Sequence, residues 1–485
     1  MDDHLIHQPV EDVWHHHFSE LDEALDETIR ELQNLIRLDE YHRHGHEEEK
    51  LGDTLGPFGS SNLNLSSLSK VLGSSSSRCM PEDRVNRINR LLEKLEAIKK
   101  SCAEATGNHP VMDISEDEER IHEKAEEHLN RMAEIFCSLR IAQLEIRSKY
   151  HPATHDPVFA NFSWRLLSPA EFRLCPPFLI MANLESDSGK TLRKIMSLLE
   201  SRKPFKIAAM RASLRKVYSP TADPSVPASM AVETLPLAMR GVFFLQTCVA
   251  APDFTKRLFD ALTSSRPTLL SLLAQKDGED EAAFRLRAER AIRSRAFPLV
   301  VYDPDKARGF VSCFDISDNP EGVGSYTFAD FALGESEFAG EFTDPPADVP
   351  EDSLVPVGEY LELVRHQRMG KYPCVYVPGP DGEAVPKVAS PAVITQTSDQ
   401  VHIWRTLQEI AGVDNPHVNI TKASLEAAFG AEQKAVIENM QHDMEQQQSQ
   451  REQVAVASAV QQLVARLTGV DAATIDLQSL VDGKN

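Results

Sequence analysis

A chain of 485 residues with 41% apolar and 26% charged positions has room for two or three domains and at least one sizeable core. Its net charge of −23 would repel nucleic-acid phosphate and an anionic membrane surface, which argues against both as partners. No apolar run approaches the roughly 20 residues of a membrane helix. The acidic start MDDHLIHQPVEDVW has no apolar stretch of the secretory kind, so a cytoplasmic location is expected. Cysteines 79, 102, 137, 175, 248, 313 and 374 form no C-x-x-C pair and read as reduced thiols.

Residues 1–51 read as an amphipathic helix rich in His and acid. Over 11–39, Trp14, Phe18, Leu21, Leu25, Ile29, Leu32 and Ile36 follow 4-3-4-4-3-4 spacing. His15, His16 and His17 lie near its start and His42, His44 and His46 near its end. They are weak candidates for a zinc or nickel site, since consecutive histidines on a helix point in different directions. An exposed polar tract explains the same residues. Composition over 52–80 collapses into Gly, Ser, Asn and Leu, the mark of a flexible linker. Residues 81–149 read as a helical hairpin. Its first helix is 82–100; its second starts at a capping box of Ser115 and Glu118 and carries the stripe Ile121, Ala125, Leu129, Met132, Phe136, Leu139, Gln143 and Ile146.

The segment 150–157 breaks that helix at two prolines. His151, His155 and Asp156 could form a metal triad on paper, but Asp before Pro is a common turn signal. An α/β domain then spans 150–326. It opens with a strand at 178–182, a helix with Leu192, Ile195, Met196 and Leu199 on one face, and a strand at 205–210. Such a βαβ unit implies a doubly wound, mostly parallel sheet, with ligands beyond the carboxyl ends of its strands. The loop 183–189 is therefore where chemistry would sit. A Pro- and Ser-rich loop (218–236) leads to strands at 242–246, 268–273 and 299–302, with helices at 254–263 and 279–293 between them. Residues 327–420 read as an acidic loop, a hairpin (374–377 and 384–388) and a helix at 398–410. The acidic loop around Phe328, Phe331, Phe338 and Phe342 reads as a surface excursion. A helical, Gln-rich tail fills 421–485, a composition suited to an exposed or oligomerising coiled-coil helix.

Ser188-Gly189-Lys190-Thr191, after a strand and opening a helix, is the second half of a phosphate-binding loop. The first glycine of that motif would fall at Leu184, whose side chain disfavours the positive-φ turn the phosphate needs. A P-loop-like NTPase is thus a secondary alternative.

The pieces YHPATHDPVFANFSW (150–164), CPPFLIM (175–181), SLLESRKPFKIAAM (197–210), VFFLQTCVAAPDF (242–254) and RSRAFPLVVYDP (293–304) resemble the thiamine-diphosphate domain of the pyruvate:ferredoxin oxidoreductase family. TFADFAL (327–333) and WRTLQEIAGVDNPHV (404–418) look like the large bacterial relatives of that family. The resemblance implies a thiamine-diphosphate-binding fold flanked by long N- and C-terminal helices. It also implies a Gly-Asp-Gly after the first strand and an Asn-Thr-Gly-Gly after the second, to hold magnesium and diphosphate. Here those positions read Ala182-Asn183-Leu184-Glu185-Ser186 and Arg211 to Pro220, and neither motif is present. Cofactor-binding candidates, should a rearranged site exist, are Asn183, Glu185, Asp187, Gly189, Lys190 and Thr191, with Ser219 a further oxygen. The family's cysteine-ligated clusters and its pyrimidine-binding domain have no counterpart. The expectation is a pseudoenzyme with no catalytic residues and no cofactor: a structural or adaptor protein that binds partner chains, or itself, through its helices. The enzymatic alternative is a subunit of a 2-oxoacid oxidoreductase using thiamine diphosphate and magnesium.

Overall fold

The computed structural model describes residues 4–73, 79–105, 111–184, 188–216, 232–320, 326–379 and 383–468. The chain divides into two compact units, Met1–Ala411 and Gly412–Asn485. The first unit opens with α1 (His4–His44), α2 (Glu48–Asn62), α3 (Leu65–Gly73), α4 (Glu82–Ala105), the short strand β1 (Val111–Asp113) and α5 (Glu118–Ile146). Leu25 and Leu32 of α1, Ile88 and Leu95 of α4, and Leu129 and Phe136 of α5 share one core. The expected hairpin is therefore two legs of a three-helix bundle, and α1 is its third member rather than a free arm.

Three local expectations are corrected here. The expected linker at 52–80 is helical over most of its length. Asn64 accepts from the Ser67 backbone N–H at 3.1 Å and so caps α3, a role its side chain fills well. Gly56, at φ 69°, breaks α2 where only glycine is at ease. The capping box at Ser115 and Glu118 does not form. Asp113 instead takes the Ser115 N–H at 2.7 Å, α5 starts later behind Asp117, and Glu118 accepts from Ser197 Oγ at 2.6 Å. The expected turn at 150–157 is mostly the helix α6 (Pro152–Ala160), with Pro152 at a first-turn position that needs no N–H donor.

After α6 come α7 (Pro169–Leu174), β2 (Leu179–Asn183), α8 (Ser188–Glu200), β3 (Lys206–Arg211), α9 (Leu235–Ala238) and β4 (Phe243–Thr247). Then follow α10 (Phe254–Leu262), β5 (Thr268–Leu273), α11 (Glu281–Arg293), β6 (Val300–Tyr302) and β7 (Phe314–Asp315). They build a seven-stranded sheet in the order β1-β2-β3-β5-β4-β6-β7. The first five in that order pair in parallel, whereas β6 pairs antiparallel with β4, and β7 antiparallel with β6. Strands buried on both faces need apolar residues at nearly every position, which Thr268–Leu273 (TLLSLL) supplies. Ile180, Ile207, Leu269 and Phe244 face Ile195, Leu198 and Leu199 of α8. Leu179, Ala208, Leu270 and Leu245 face Val10, Val13 and Trp14 of α1 and Leu258 of α10. The fold is α/β, with helices on both faces of a mostly parallel sheet. All seven cysteines are free thiols.

The first unit ends with α12 (Phe328–Leu333), β8 (Phe342–Thr343), β9 (Leu354–Pro356), α13 (Val357–Glu362), β10 (Tyr372–Pro378), β11 (Ala384–Ala389) and α14 (Pro391–Ile410). A second sheet has the order β8-β11-β10-β9 and contains the expected hairpin, whose turn at 380–382 lies outside the described residues. The phenylalanine segment is core rather than surface. Phe328, Phe331 and Phe338 are buried against Phe284, Ala288 and Ala291 of α11, because a three-residue step on a helix puts both α12 rings on one side. The second unit contains α15 (Pro416–Thr468), a single helix of 53 residues.

Candidate functional site

Ligands of parallel α/β sheets lie beyond the carboxyl ends of the strands, where the strand order reverses. In this sheet the order reverses at β5, which is inserted between β3 and β4. The relevant loops follow β2, β3 and β5.

Four of the six candidates lie in described residues that flank the loop after β2. Asn183 closes the strand, paired with Met210, while Gly189, Lys190 and Thr191 form the first turn of α8. Glu185 and Asp187, and likewise Ser219, lie outside the described residues. Lys190 is exposed. The Leu184 backbone N–H donates to the Met210 carbonyl at 3.0 Å, and its side chain packs on the core beneath α8. That amide is already committed to the sheet, where a phosphate loop would aim it at an anion.

Beyond β3 and β5, described side chains of the same chain form a network of ion pairs and hydrogen bonds. Arg287 of α11 is buried, and its fork holds Glu279 through Nε and Nη2, each at 2.8 Å. The same guanidinium donates to the carbonyls of Ala212 (3.1 Å) and Ala274 (2.7 Å), the residues that follow β3 and β5. Burial pushes the Glu279 carboxyl up, but the bonds from Arg287 and the Lys276 N–H outweigh it, and the pKa ends below its ordinary value. Glu335 binds Lys276 at 2.6 Å and Arg290 at 3.0 Å. Arg215 reaches Glu341 at 2.7 Å and the Glu337 carbonyl at 2.6 Å, and Ser213 donates to the Glu337 carboxylate. Gln396 of α14 closes the set by donating to the Leu214 carbonyl at 2.6 Å. What remains is a cavity of about 170 Å³ lined by Arg215, Lys216, Phe338, Glu341, Val393 and Gln396.

A second polar group sits inside the sheet itself. Gln246 of β4 donates to Glu233 (3.1 Å) and accepts from Ser271 of β5 (2.8 Å), with Arg211 at 3.9 Å from Glu233. Burial raises the Glu233 carboxyl, and the charges of Arg211 and Lys216 more than reverse that. Larger cavities lie elsewhere: about 420 Å³ beside the β1 edge, and about 800 Å³ at the amino ends of β4 and β5.

Among the described residues, hard oxygen ligands for magnesium are few at these strand ends. Magnesium needs several hard oxygen ligands in octahedral array. Arg211 ends β3, the described part of the loop after it adds the cations Arg215 and Lys216, and its Ala212 and Leu214 carbonyls already accept from Arg287 and Gln396.

The six histidines divide between distant ends of α1. His15 is exposed, and His16 pairs with Glu20 at 3.2 Å. His44 pairs with Glu47 at 2.7 Å. His17 is buried and stacked on Phe259, the ring planes 4° apart, with neither ring nitrogen hydrogen-bonded. His151, His155 and Asp156 are tied up locally: the His151 N–H donates to His155 Nδ1 at 2.9 Å, and Tyr150 donates to Asp156. Among the described residues, no three His, Cys, Asp or Glu side chains converge as a metal would need. No described helix is long and apolar enough to cross a membrane.

His17 carries a pH prediction. Burial, with the nearby His16 and Lys206 charges, lowers its pKa from 6.5 to about 4. Between those values the unfolded chain binds a proton that the folded chain does not. Stability should therefore fall as pH drops from 6.5 to about 4, by on the order of 3 kcal/mol at about 1.4 kcal/mol per unit. Urea midpoints at pH 7 and pH 4.5 for the parent and His17→Phe check this: the variant should lose less stability between the two.

No protein-family model matches the chain, and none of the curated proteins matches it. The Arg287 network was missed in the sequence, although a signal existed. Arg287 stands three residues after Phe284 and four before Ala291, on the apolar face of α11, where a charge needs a buried partner.

Proposed function

We propose that the chain is a non-catalytic structural or adaptor protein, built on a degenerate domain of the 2-oxoacid:ferredoxin oxidoreductase type, that binds partner chains through its C-terminal helix. The observation that supports this reading is the Arg287–Glu279 and Glu335–Lys276–Arg290 network at the strand ends beyond β3 and β5. The apolar stripes of α1, α4 and α5 are spent on one another and on the sheet, so those helices serve the scaffold. Many apolar side chains of α15 are exposed, among them Leu425, Phe429, Val436, Met440 and Met444. Apolar groups exposed in register along a helix are the usual mark of a docking face.

Calorimetric titration with thiamine diphosphate and magnesium tests the proposal. No saturable heat is expected. Saturable binding at micromolar concentration would restore the oxidoreductase-subunit reading. ATP with magnesium should likewise give no heat, for the parent or for Lys190→Ala. Binding by the parent that the variant loses would favour a nucleotide hydrolase instead.

A further inference from the structure

We infer that the first half of α15 pairs antiparallel with the same helix of a second copy of this chain, an inference that rests on the adaptor reading and names its partner. Leu425, Phe429, Val436 and Met440 are spaced 4, 7 and 4 residues apart, which reads the same in both directions. At about 100° per residue these four stay within one narrow face. Each is more than half exposed, at 53%, 63%, 52% and 61%. Turning one helix end for end about the point between Glu432 and Gln433 places Leu425 opposite Met440 and Phe429 opposite Val436. An isologous two-fold contact needs a self-complementary stripe of this kind.

Charge selects the direction. In the antiparallel arrangement Lys422 of one copy faces Asp443 of the other, twice by symmetry, and Glu432 faces the neutral Gln433. In a parallel, in-register pair Lys422 would face Lys422, Asp443 would face Asp443 and Glu432 would face Glu432. Like charges directly opposed cost stability, and opposed acids within a seam cost most. The later apolar set, Val456, Val460, Leu463 and Leu467, falls on the opposite side of the helix and takes no part in this seam.

The full chain is tested by sedimentation equilibrium together with zero-length carbodiimide cross-linking and peptide mass spectrometry. Within one straight helix Lys422 and Asp443 are about 30 Å apart, too far to couple. A Lys422–Asp443 cross-link therefore reports two chains. The expected result is a dimer that yields this cross-link, with Phe429→Glu weakening association at least tenfold while leaving the melting of the α/β unit unchanged. A monomer at 100 µM would overturn the inference, as would a dimer without that cross-link or one indifferent to Phe429→Glu. Heat from thiamine diphosphate would instead remove the adaptor reading and leave the dimer standing.

Discussion

Arg287→Met is expected to lower the unfolding free energy by about 3–5 kcal/mol, the usual cost of removing one partner of a buried charge pair. The substitution keeps the volume of the side-chain stem but leaves Glu279 without its fork, and two strand-end carbonyls lose their donor. A control separates the charge from the packing. The double variant Arg287→Met/Glu279→Leu removes both charges and should recover a good part of the loss, because an apolar pair of similar size is often tolerated. Urea denaturation of the three proteins measures both quantities. A loss below about 1 kcal/mol in the single variant would place Arg287 among surface ion pairs and empty the network of its structural role.

Trp14→Ala is the second large effect, about 3–5 kcal/mol for deleting a buried indole. Trp14 is 1% exposed and, with Val10 and Val13, shares a core with Leu179, Leu245 and Leu258. The prediction distinguishes an integral α1 from a detachable docking arm. Were α1 an arm, Trp14→Ala would scarcely move the denaturation midpoint; as part of the core it should shift it by an amount comparable to a deep strand residue. Phe429→Glu on α15, by contrast, should leave that midpoint in place.

The α/β region was legible because parallel strands buried on both faces leave a signal that survives without neighbours. The expected strands at 178–182, 205–210 and 268–273 match β2, β3 and β5 to within a residue, and the helix between the first two matches α8. Direction was less legible. Leu299–Tyr302 reads as one more apolar strand, but its antiparallel pairing with β4 is a tertiary fact, and its start is held by Asn319, which bonds the Leu299 N–H and carbonyl at 2.9 and 2.7 Å. Composition misled at 52–80, where Ser and Asn suggested a linker although Leu65 and Leu68, a three-residue step apart behind the Asn64 cap, suffice to start a helix. Val111–Asp113 is too short to announce itself as a strand, and its parallel pairing with β2 is a tertiary fact. Of the candidate site, the sequence located the loop after β2 but missed the Arg287 network, because those partners come from helices and loops far apart in the chain.

Amide hydrogen–deuterium exchange across 211–216 and 273–276 tests most directly whether the chain itself closes the carboxyl end of its sheet. Slow exchange is expected at Ala274, whose N–H donates to the Arg211 carbonyl at 2.7 Å, and at Lys216, whose N–H donates to Gln396 at 3.2 Å. Adding thiamine diphosphate and magnesium should change nothing, whereas Arg287→Met should accelerate exchange in both segments. Fast exchange in the parent that slows on adding the cofactor would contradict the account, since it would show an open site waiting for its ligand.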